Sequence, residues 1–262
     1  MRLALLTGFF ALALATPAHA QEEEALCPDR PGIASGPCTV EPGRVHLELQ
    51  IDWSFQDDGE ERVDTLLAGD ALVRLGLDER TELQLGWTPY GHVRTRNASG
   101  VERSDGAGDV SVGLRRRMYE QGSYAAGLQA TVTLPVGGSA IGAGDWGAEL
   151  LVPMSLDAGR VELLITPSIA AAVDEDGSGR HLAYGIAVGA GFSPFLSERL
   201  TAVLDLALYR DEDPAGHSTE ALLGLALAWQ LNPNLQLDAG AIIGLNADSP
   251  DLEIYVGGAK RF

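Results

Sequence analysis

The sequence predicts an all-β protein, a transmembrane antiparallel up-and-down β-barrel of about 12 strands. Three observations support this fold class. Apolar and polar residues alternate with a period of two through most of the chain. After the N-terminus, the chain lacks the uncharged apolar run of about 18 residues that a transmembrane helix needs. The final segment, 251–262, alternates in the same way and ends on Phe262, as the last strand of an outer-membrane barrel does.

The N-terminus predicts export. Arg2 precedes an apolar run over residues 3–15, and an Ala-x-Ala site ends at Ala20. This order is typical of a secretory signal peptide, which we place at residues 1–20. A membrane anchor is the alternative, but the apolar run is shorter than the roughly 20 residues of a helical span.

Composition argues against several function classes. The formal net charge is −19, so a nucleic-acid partner, which requires a basic face, is not expected. The sequence contains no dinucleotide, P-loop or zinc-protease motif, so we expect no cofactor and no metal. His217 and Ser218 are the only adjacent pair for hydrolysis, and they lie in a predicted loop, so no catalytic residue is assigned and no enzyme is expected.

Cys27 and Cys38 are the two cysteines. In an exported protein an even pair this close predicts a disulfide. A metal or redox pair is the alternative, but the spacing is not CxxC and no histidine flanks it. We divide the chain into the signal peptide, a periplasmic N-terminal segment at residues 21–42 that carries the disulfide, and a barrel at residues 43–262.

The strands follow from alternation, most strictly at residues 45–55, where every second residue is apolar. The remaining predicted strands cover residues 67–77, 83–87, 110–118, 124–134, 146–156, 161–171, 182–192, 200–208, 221–229, 235–245 and 252–262.

The connections alternate between short and long. Tight turns are predicted at 77–80, 157–160 and 231–234. The other connections are acidic or glycine-rich and are predicted as loops at 56–62, 90–108, 137–144, 174–180, 210–218 and 246–251. This asymmetry is typical of outer-membrane barrels and makes the long loops extracellular if the N-terminus is periplasmic.

Aromatic residues are predicted to form two girdles, one at each interface of the bilayer. The long-loop girdle contains Trp53, Phe55, Trp87, Tyr90, Trp146, Tyr184 and Tyr209. The short-turn girdle contains Tyr119, Tyr124, Phe192, Phe195, Trp229 and Phe262. An exported β-sandwich also alternates, but it would bury its aromatics in mid-strand.

Polar residues on the inward parity are the candidate lumen and selectivity residues. They are Glu48, Asp52, Asp70, Arg74, Glu82, Asp109, Arg115, Arg117, Glu149, Glu162, Asp205, Glu220 and Asp238. One interpretation is that they pair across the lumen and hydrate it. The other is that Arg74, Arg115 and Arg117 form a basic ladder opposite an acidic wall and select permeants by charge.

Two further patterns bear on the lumen and the surface. A row of small residues, Gly185, Ala187, Gly189 and Gly191, either widens the lumen or packs against the N-terminal segment. The acidic loops at 57–61, 174–177 and 211–213 match no EF-hand spacing. We expect them to form a solvated surface that cations bridge to lipopolysaccharide.

The segment before the first strand resembles a known family. The matching positions are Asp29-Arg30-Pro31, Thr39-Val40, Pro42-Gly43 and Leu47-Glu48. They are similar to the start of the bacterial outer-membrane transporters named for the meta-pathway of phenol degradation, whereas Pro28, Glu41 and His46 depart from that pattern. The resemblance implies an outer-membrane barrel that takes up aromatic or other hydrophobic compounds.

The N-terminal motif Asp29, Arg30, Pro31 and Gly32 is rigid and charged. We expect it to form a small plug in the periplasmic mouth, with Arg30 pairing an inward acid such as Glu48. A linker tethered outside the barrel is the alternative.

Together these features predict a passive outer-membrane channel for small, hydrophobic or aromatic solutes. The expected partners are lipid, lipopolysaccharide, the solute and, through Phe262, the barrel assembly machinery. Lys260 departs from the apolar parity of the last strand and is expected to snorkel to the headgroups. A closed structural or adhesion barrel and a lipid-modifying enzyme are the alternatives.

Overall fold

The structure is a computed structural model that describes residues 26–177 and 179–262. The predicted signal peptide lies outside the described residues. Among the residues described, no helix is long and apolar enough to cross a membrane. The strands are β1 (Val45–Asp57), β2 (Arg62–Asp78), β3 (Thr81–Trp87), β4 (Tyr90–Asn97), β5 (Gly100–Gly106), β6 (Val110–Gln121), β7 (Tyr124–Leu134), β8 (Gly147–Leu151), β9 (Met154–Asp157), β10 (Val161–Val173), β11 (Arg180–Phe192), β12 (Leu200–Asp211), β13 (Ser218–Asn232), β14 (Leu235–Gly244) and β15 (Leu252–Arg261).

The sheet closes on itself as an antiparallel barrel. β1 pairs with β15 from His46 opposite Arg261 to Phe55 opposite Leu252, so the first and last strands join. The main-chain N–H of Phe262 also donates to the carbonyl of Val45 at 2.8 Å. The predicted barrel fold is confirmed, and each of the twelve predicted strand positions is occupied by one strand or, in one case, by two short ones.

The segment predicted as a loop at 90–108 is instead a hairpin, β4–β5, so this part of the prediction is wrong. The N-terminal half of β2, nearest the long loops, pairs with β4, from Arg62 opposite Arg96 to Ala68 opposite Tyr90. The C-terminal half of β2 pairs with β3. The hairpin is polar on both faces, which is why the alternation of a membrane strand does not reveal it.

The strand predicted at 146–156 is broken between β8 and β9 by Pro153. Proline has no N–H to give to a ladder, and it interrupts the strand for that reason. The carbonyl of Pro153 still accepts from the N–H of Gly127 at 2.8 Å, and Val152 donates to Pro167 at 3.0 Å. The wall therefore continues through the break.

Burial in this barrel is inverted relative to a soluble protein. The largest fully buried side chains include Arg74, Arg115, His46, Glu48 and Glu82. Large apolar side chains such as those of Leu206 and Val256 are more than half exposed, at 53% and 57%. Outward-facing apolar side chains around a polar interior are the arrangement that a bilayer requires.

The aromatic residues predicted for the two girdles face outward at both ends of the strands, with the exception of Tyr209. Trp87 and Tyr90 are exposed near the long loops, and Tyr124 and Trp229 are exposed near the short turns. Tyr209 was assigned to the long-loop girdle, and this is wrong, because it lies on the inward parity of β12 and lines a lumen cavity.

Candidate functional site: the lumen and its N-terminal plug

Residues 26–43, called the plug below, run inside the barrel before β1 begins. The disulfide between Cys27 and Cys38 is present and holds the two ends of this segment 6.3 Å apart at Cα. The plug contacts strands on all sides of the lumen through hydrogen bonds and ion pairs, described in turn below. The alternative of a linker tethered outside the barrel does not agree with these contacts.

Arg74 of β2 bonds to both the barrel wall and the plug next to the disulfide. Its side chain is 0% exposed and donates to Glu82 at 2.8 Å and to Glu48 at 3.1 Å. It also donates to the plug carbonyls of Cys27 at 2.6 Å and Cys38 at 3.3 Å. One guanidinium therefore bonds to two wall carboxylates and holds both cysteine positions of the plug.

Asp29 is held by a second buried arginine. Arg115 of β6 donates to its two carboxylate oxygens at 2.5 and 2.8 Å, in a bidentate pair. The backbone N–H of Asp29 lies 3.1 Å from the carboxylate of Glu48. Burial raises the pKa of Asp29, but the guanidinium groups of Arg115 and Arg74 outweigh it and hold that pKa below its usual value.

Arg30 pairs with Asp238 of β14, at 2.7 Å, and not with Glu48 as expected. It also donates to Gln50 of β1, and its guanidinium carbon lies 5.5 Å from the ring centre of Tyr255. The strand register explains the choice, because Gln50, Gly257 and Asp238 form one row across β1, β15 and β14. Gly257 leaves space in that row, since a Cβ there would lie 2.6 Å from the Arg30 guanidinium.

The middle of the plug is held through its backbone. Asp205 of β12 accepts from the N–H groups of Ile33 at 3.2 Å and Ala34 at 3.5 Å. Thr166 of β10 exchanges hydrogen bonds with Ser35 at 3.0 and 2.9 Å. Wall side chains thus satisfy main-chain groups that would otherwise be orphaned inside the lumen.

Further along, Glu82 accepts from the N–H of Val40 at 2.7 Å. Arg261 of β15 pairs with Glu41. These contacts extend the plug attachments to β3 and to β15.

The row of small residues packs against the plug, the second of the two interpretations from the sequence. Ala187 and Ala34 belong to the same buried apolar cluster. A Cβ at Gly189 would lie 3.1 Å from the Cβ of Ala34 and 2.5 Å from Asp205. Gly185 instead makes room for Tyr209, whose ring would lie 2.2 Å from a Cβ there.

The candidate lumen residues therefore divide into groups. Six lie at the plug or in its supporting network: Glu48, Arg74, Glu82, Arg115, Asp205 and Asp238. Arg74 and Arg115 are neutralised there, so they do not form the free basic ladder that was one interpretation of the sequence. Arg117 lies at the short-turn end, where it donates to the carbonyl of Glu79 at 2.8 Å and pairs with Glu120 at 3.2 Å.

The remaining acids lie away from the plug contacts. Asp52 and Asp70 accept from Gln50 and Thr88. Asp109 is a loop anchor, because it accepts from the backbone N–H groups of Gly137 and Ala143. Glu149, Glu162 and Glu220 take part in no ion pair among the described residues.

Two cavities lie within the barrel, and plug residues line one of them. One of about 160 Å³ lies toward the long loops and is lined by Glu149, Ser168, Tyr209 and Glu220. The other, of about 550 Å³, lies toward the short turns and is lined by plug residues together with Glu162 and Gln230. The first lining has polar and apolar surface in similar amounts, and the second is more polar than apolar.

Several residues of this site were not among the sequence candidates. Gln129 supports Arg115 at 2.8 Å, Gln236 donates to the carbonyl of Arg30 at 3.0 Å, and Tyr255 stacks with Arg30. The candidates were charged, whereas these residues are neutral. Their inward parity was the available signal.

Two of the three acidic loops, at 174–177 and 211–213, converge on one histidine. His181 lies 2.9 Å from Asp174 and 3.4 Å from Asp213 through Nδ1, and 2.8 Å from Asp211 through Nε2. Asp213 also accepts from the N–H groups of Ala215 and Glu175, and these bonds lower its pKa. His217 lies 3.1 Å from Glu212. The cluster ties together the two loops that flank β11 and β12.

Comparison with known proteins agrees with this architecture. A family model described as "Putative MetA-pathway of phenol degradation" matches residues 28–262. An outer membrane channel from Pseudomonas putida F1 is similar in structure, with a TM-score of 0.67 at 14% identity, over 89% of this chain and 99% of that one.

Two smaller similarities are to porins. The KdgM porin in complex with disordered oligogalacturonate has a TM-score of 0.51 at 7% identity, over 84% of this chain and 99% of that one. The NanC porin has a TM-score of 0.51 at 10% identity, over 81% and 98%. A search of curated protein sequences found no match. At these identities the structural similarities establish the fold.

Proposed function

The chain belongs to this phenol-degradation family, and on that basis we propose that it is a passive channel of the bacterial outer membrane. The observation that carries the proposal is the plug. It is a separate segment held inside the lumen by polar contacts, it lines the cavity toward the short turns, and its Ala34 belongs to the cluster that Tyr209 of the other cavity packs against, so displacing it would widen the path through the barrel. Transport would be diffusion down a gradient, and it needs no cofactor and no catalysis.

The solute class we propose is small and hydrophobic or aromatic. The family description, which names phenol degradation, supports this class. The cavity toward the long loops has a size suited to one small molecule and presents the ring of Tyr209 beside Ser168. An aromatic ring near a hydroxyl group suits a solute with an apolar body and one polar atom.

Liposome swelling tests the channel. We would compare the wild type with a variant lacking residues 26–42, using phenol-sized neutral solutes and a large sugar as the size control. The expected result is faster entry of small solutes in the deletion variant and exclusion of the sugar by both proteins. Heat-modifiable migration on a gel would confirm that each barrel has folded.

A closed structural barrel is the second candidate, and the many plug contacts favour it. It predicts that the wild type admits no small solute. If the deletion variant is equally impermeable, the channel proposal is wrong. If both proteins conduct equally, the plug is not the barrier.

We also propose that the barrel assembly machinery recognises the C-terminal strand. Phe262 follows β15 and lies at the short-turn end, exposed beside Lys260, whose ammonium is 4.6 Å from the ring centre. A Phe262→Ala variant should yield less heat-modifiable barrel in the outer membrane than a Phe195→Ala variant, which removes an aromatic at the same end. Equal yields would contradict recognition through Phe262.

A further inference from the structure

The outward face of the hairpin sheet formed by β2, β4 and β5 carries a cluster of arginines. In one row across the strands, Asp64 lies opposite Arg94, and Arg94 lies opposite Arg103. In the next row toward the loops, Arg62 lies opposite Arg96. Directly opposed residues in a sheet share a face, so these side chains form one surface, called the arginine face below.

A β-bulge turns this surface away from the lumen. On the C-terminal side of the bulge, which lies at Gly69, the even-numbered residues of β2, such as Asp70 and Arg74, face inward. Gly69, with φ of +77°, is the extra residue, because Gln50 opposes Asp70 whereas Ile51 opposes Ala68. On the N-terminal side of the bulge the even-numbered residues of β2 therefore face outward, as does Ile51 of β1, which lies opposite Ala68.

Side-chain contacts agree with this direction. The Arg62 guanidinium lies 4.0 Å from the ring centre of Phe55, which belongs to the outward parity of β1. Trp53 packs on Phe55 with ring centres 5.4 Å apart. Because this aromatic pair belongs to the long-loop girdle, the arginine face lies at the level of the lipid headgroups.

The arginine face carries more positive charge than its acids neutralise. Arg62 and Arg96 share the carboxylate of Asp64, at 2.8 and 3.3 Å, and Arg62 also pairs with Asp57 at 3.8 Å. Arg94 and Arg103 take part in no ion pair among the described residues. The Nε of Arg94 is buried without a hydrogen-bond partner.

A cluster of this kind is unexpected in a chain with 37 acidic residues and 18 lysines and arginines. Arginine binds phosphate oxygens in a bidentate way, and its charge is permanent. Phosphate groups at headgroup level, facing outward from the barrel, are the ligand that this position and this charge favour.

We propose that the arginine face binds the phosphate groups of lipid A, the lipopolysaccharide headgroup of the outer leaflet. Arg94 and Arg103 take the phosphate, and Arg62 and Arg96 flank it. This inference rests on the proposed outer-membrane location but not on transport. It differs from the expectation that acidic loops meet lipopolysaccharide only through bridging cations.

Native mass spectrometry of the detergent-solubilised full-length barrel tests this inference, with added bisphosphorylated lipid A as the probe. The test variant is Arg94→Gln with Arg103→Gln. The matched control is Arg160→Gln with Arg199→Gln, which removes the same charge at the short-turn end. We expect the test variant to bind lipid A at least about tenfold more weakly than the wild type, and the control to bind as the wild type does.

Three further arms make the result decisive. Dephosphorylated lipid A should bind no better to the wild type than to the test variant. Millimolar inorganic phosphate should fail to displace lipid A, and displacement would indicate a free-anion site instead. An Arg94→Lys, Arg103→Lys variant, which keeps the charge and loses the bidentate geometry, should bind with intermediate affinity.

Wild-type affinity in the test variant would overturn the proposal, provided that heat-modifiable migration shows a folded barrel. Tight binding of dephosphorylated lipid A would overturn it as well. Liposome swelling is an independent readout, so an impermeable barrel that still binds lipid A through these arginines would refute the channel and leave the arginine face standing.

Discussion

Replacing Arg115 by glutamine should release the plug, and its neighbour Arg116 provides the control. The two residues are adjacent in β6 and point to opposite faces. Arg115 is 0% exposed and holds Asp29 in a bidentate pair, whereas Arg116 is exposed on the outside and contacts Thr81. The same substitution therefore removes a buried ion pair at one site and a surface contact at the other.

The size of the expected effect on channel opening follows from the burial of the Arg115–Asp29 ion pair. Removing one partner of a buried ion pair costs about 3–5 kcal/mol, because the remaining charge is left uncompensated. Asp29 would then face Glu48, which its own N–H contacts at 3.1 Å, and Arg74, which also pairs with Glu82, would be left to balance all three carboxylates. At about 1.4 kcal/mol per tenfold, the ratio of open to closed channels should rise by about 100-fold or more.

Single-channel recording in planar bilayers measures this ratio. Arg115→Gln should open far more often than the wild type, and Arg116→Gln should match the wild type. A double-mutant cycle with Asp29→Asn should show strong coupling, because the second substitution removes the uncompensated charge. Equal open frequencies in Arg115→Gln and Arg116→Gln, in barrels that migrate as folded, would refute the assignment of this pair as a clamp.

Three other predictions test the same site. Because the pKa of Asp29 lies below its ordinary value of 3.8, its ion pair should hold the plug fully above that pH and lose its hold only as the pH falls further; acid-induced opening that persists unchanged in Asp29→Asn would contradict this. Gly189→Val should raise the open frequency about tenfold through overpacking against Ala34, whereas Gly191→Val, with its nearest neighbour at 3.8 Å, should not. Glu149→Gln with Glu220→Gln should lower the preference for cations over anions measured as a reversal potential, and an unchanged potential would exclude these acids from selectivity.

The barrel could be predicted from the sequence because its evidence is local. Alternation along residues 45–55 reports the two faces of a strand without knowledge of its neighbours, and the same pattern recurs to Phe262. The hairpin β4–β5 was missed because it stands at headgroup level, where neither face contacts hydrocarbon. There His92, Arg94 and Arg96 alternate with Val93 and Thr95 on a strand that only β2 and β5 flank.

The partners within the lumen could not be predicted, because they depend on register across several strands. Glu48 and Asp238 are both inward acids, and nothing local favours one over the other for Arg30. The closure of β1 onto β15 places Gln50, Gly257 and Asp238 in one row, whereas Glu48 lies in the row of Ala259 and Gln236. Only Gly257, which has no Cβ, leaves room for the guanidinium.

The same register determines which charged residues of the lumen are paired and which are not. On the wall Arg74 is already paired with Glu48 and Glu82, and the plug adds Asp29 to Arg115 and two backbone carbonyls to Arg74. The charge of these two arginines is neutralised at the level of the plug, whereas Glu149 and Glu220 line the cavity toward the long loops without a cationic partner among the described residues. A solute that enters from that side therefore meets these two carboxylates, since Arg210 of the same lining is held by Glu212, and displacing the plug would leave Arg115 without Asp29. The position of the plug would thus set the charge that a permeant meets in the middle of the lumen, because Arg115 pairs with Asp29 only while the plug is in place.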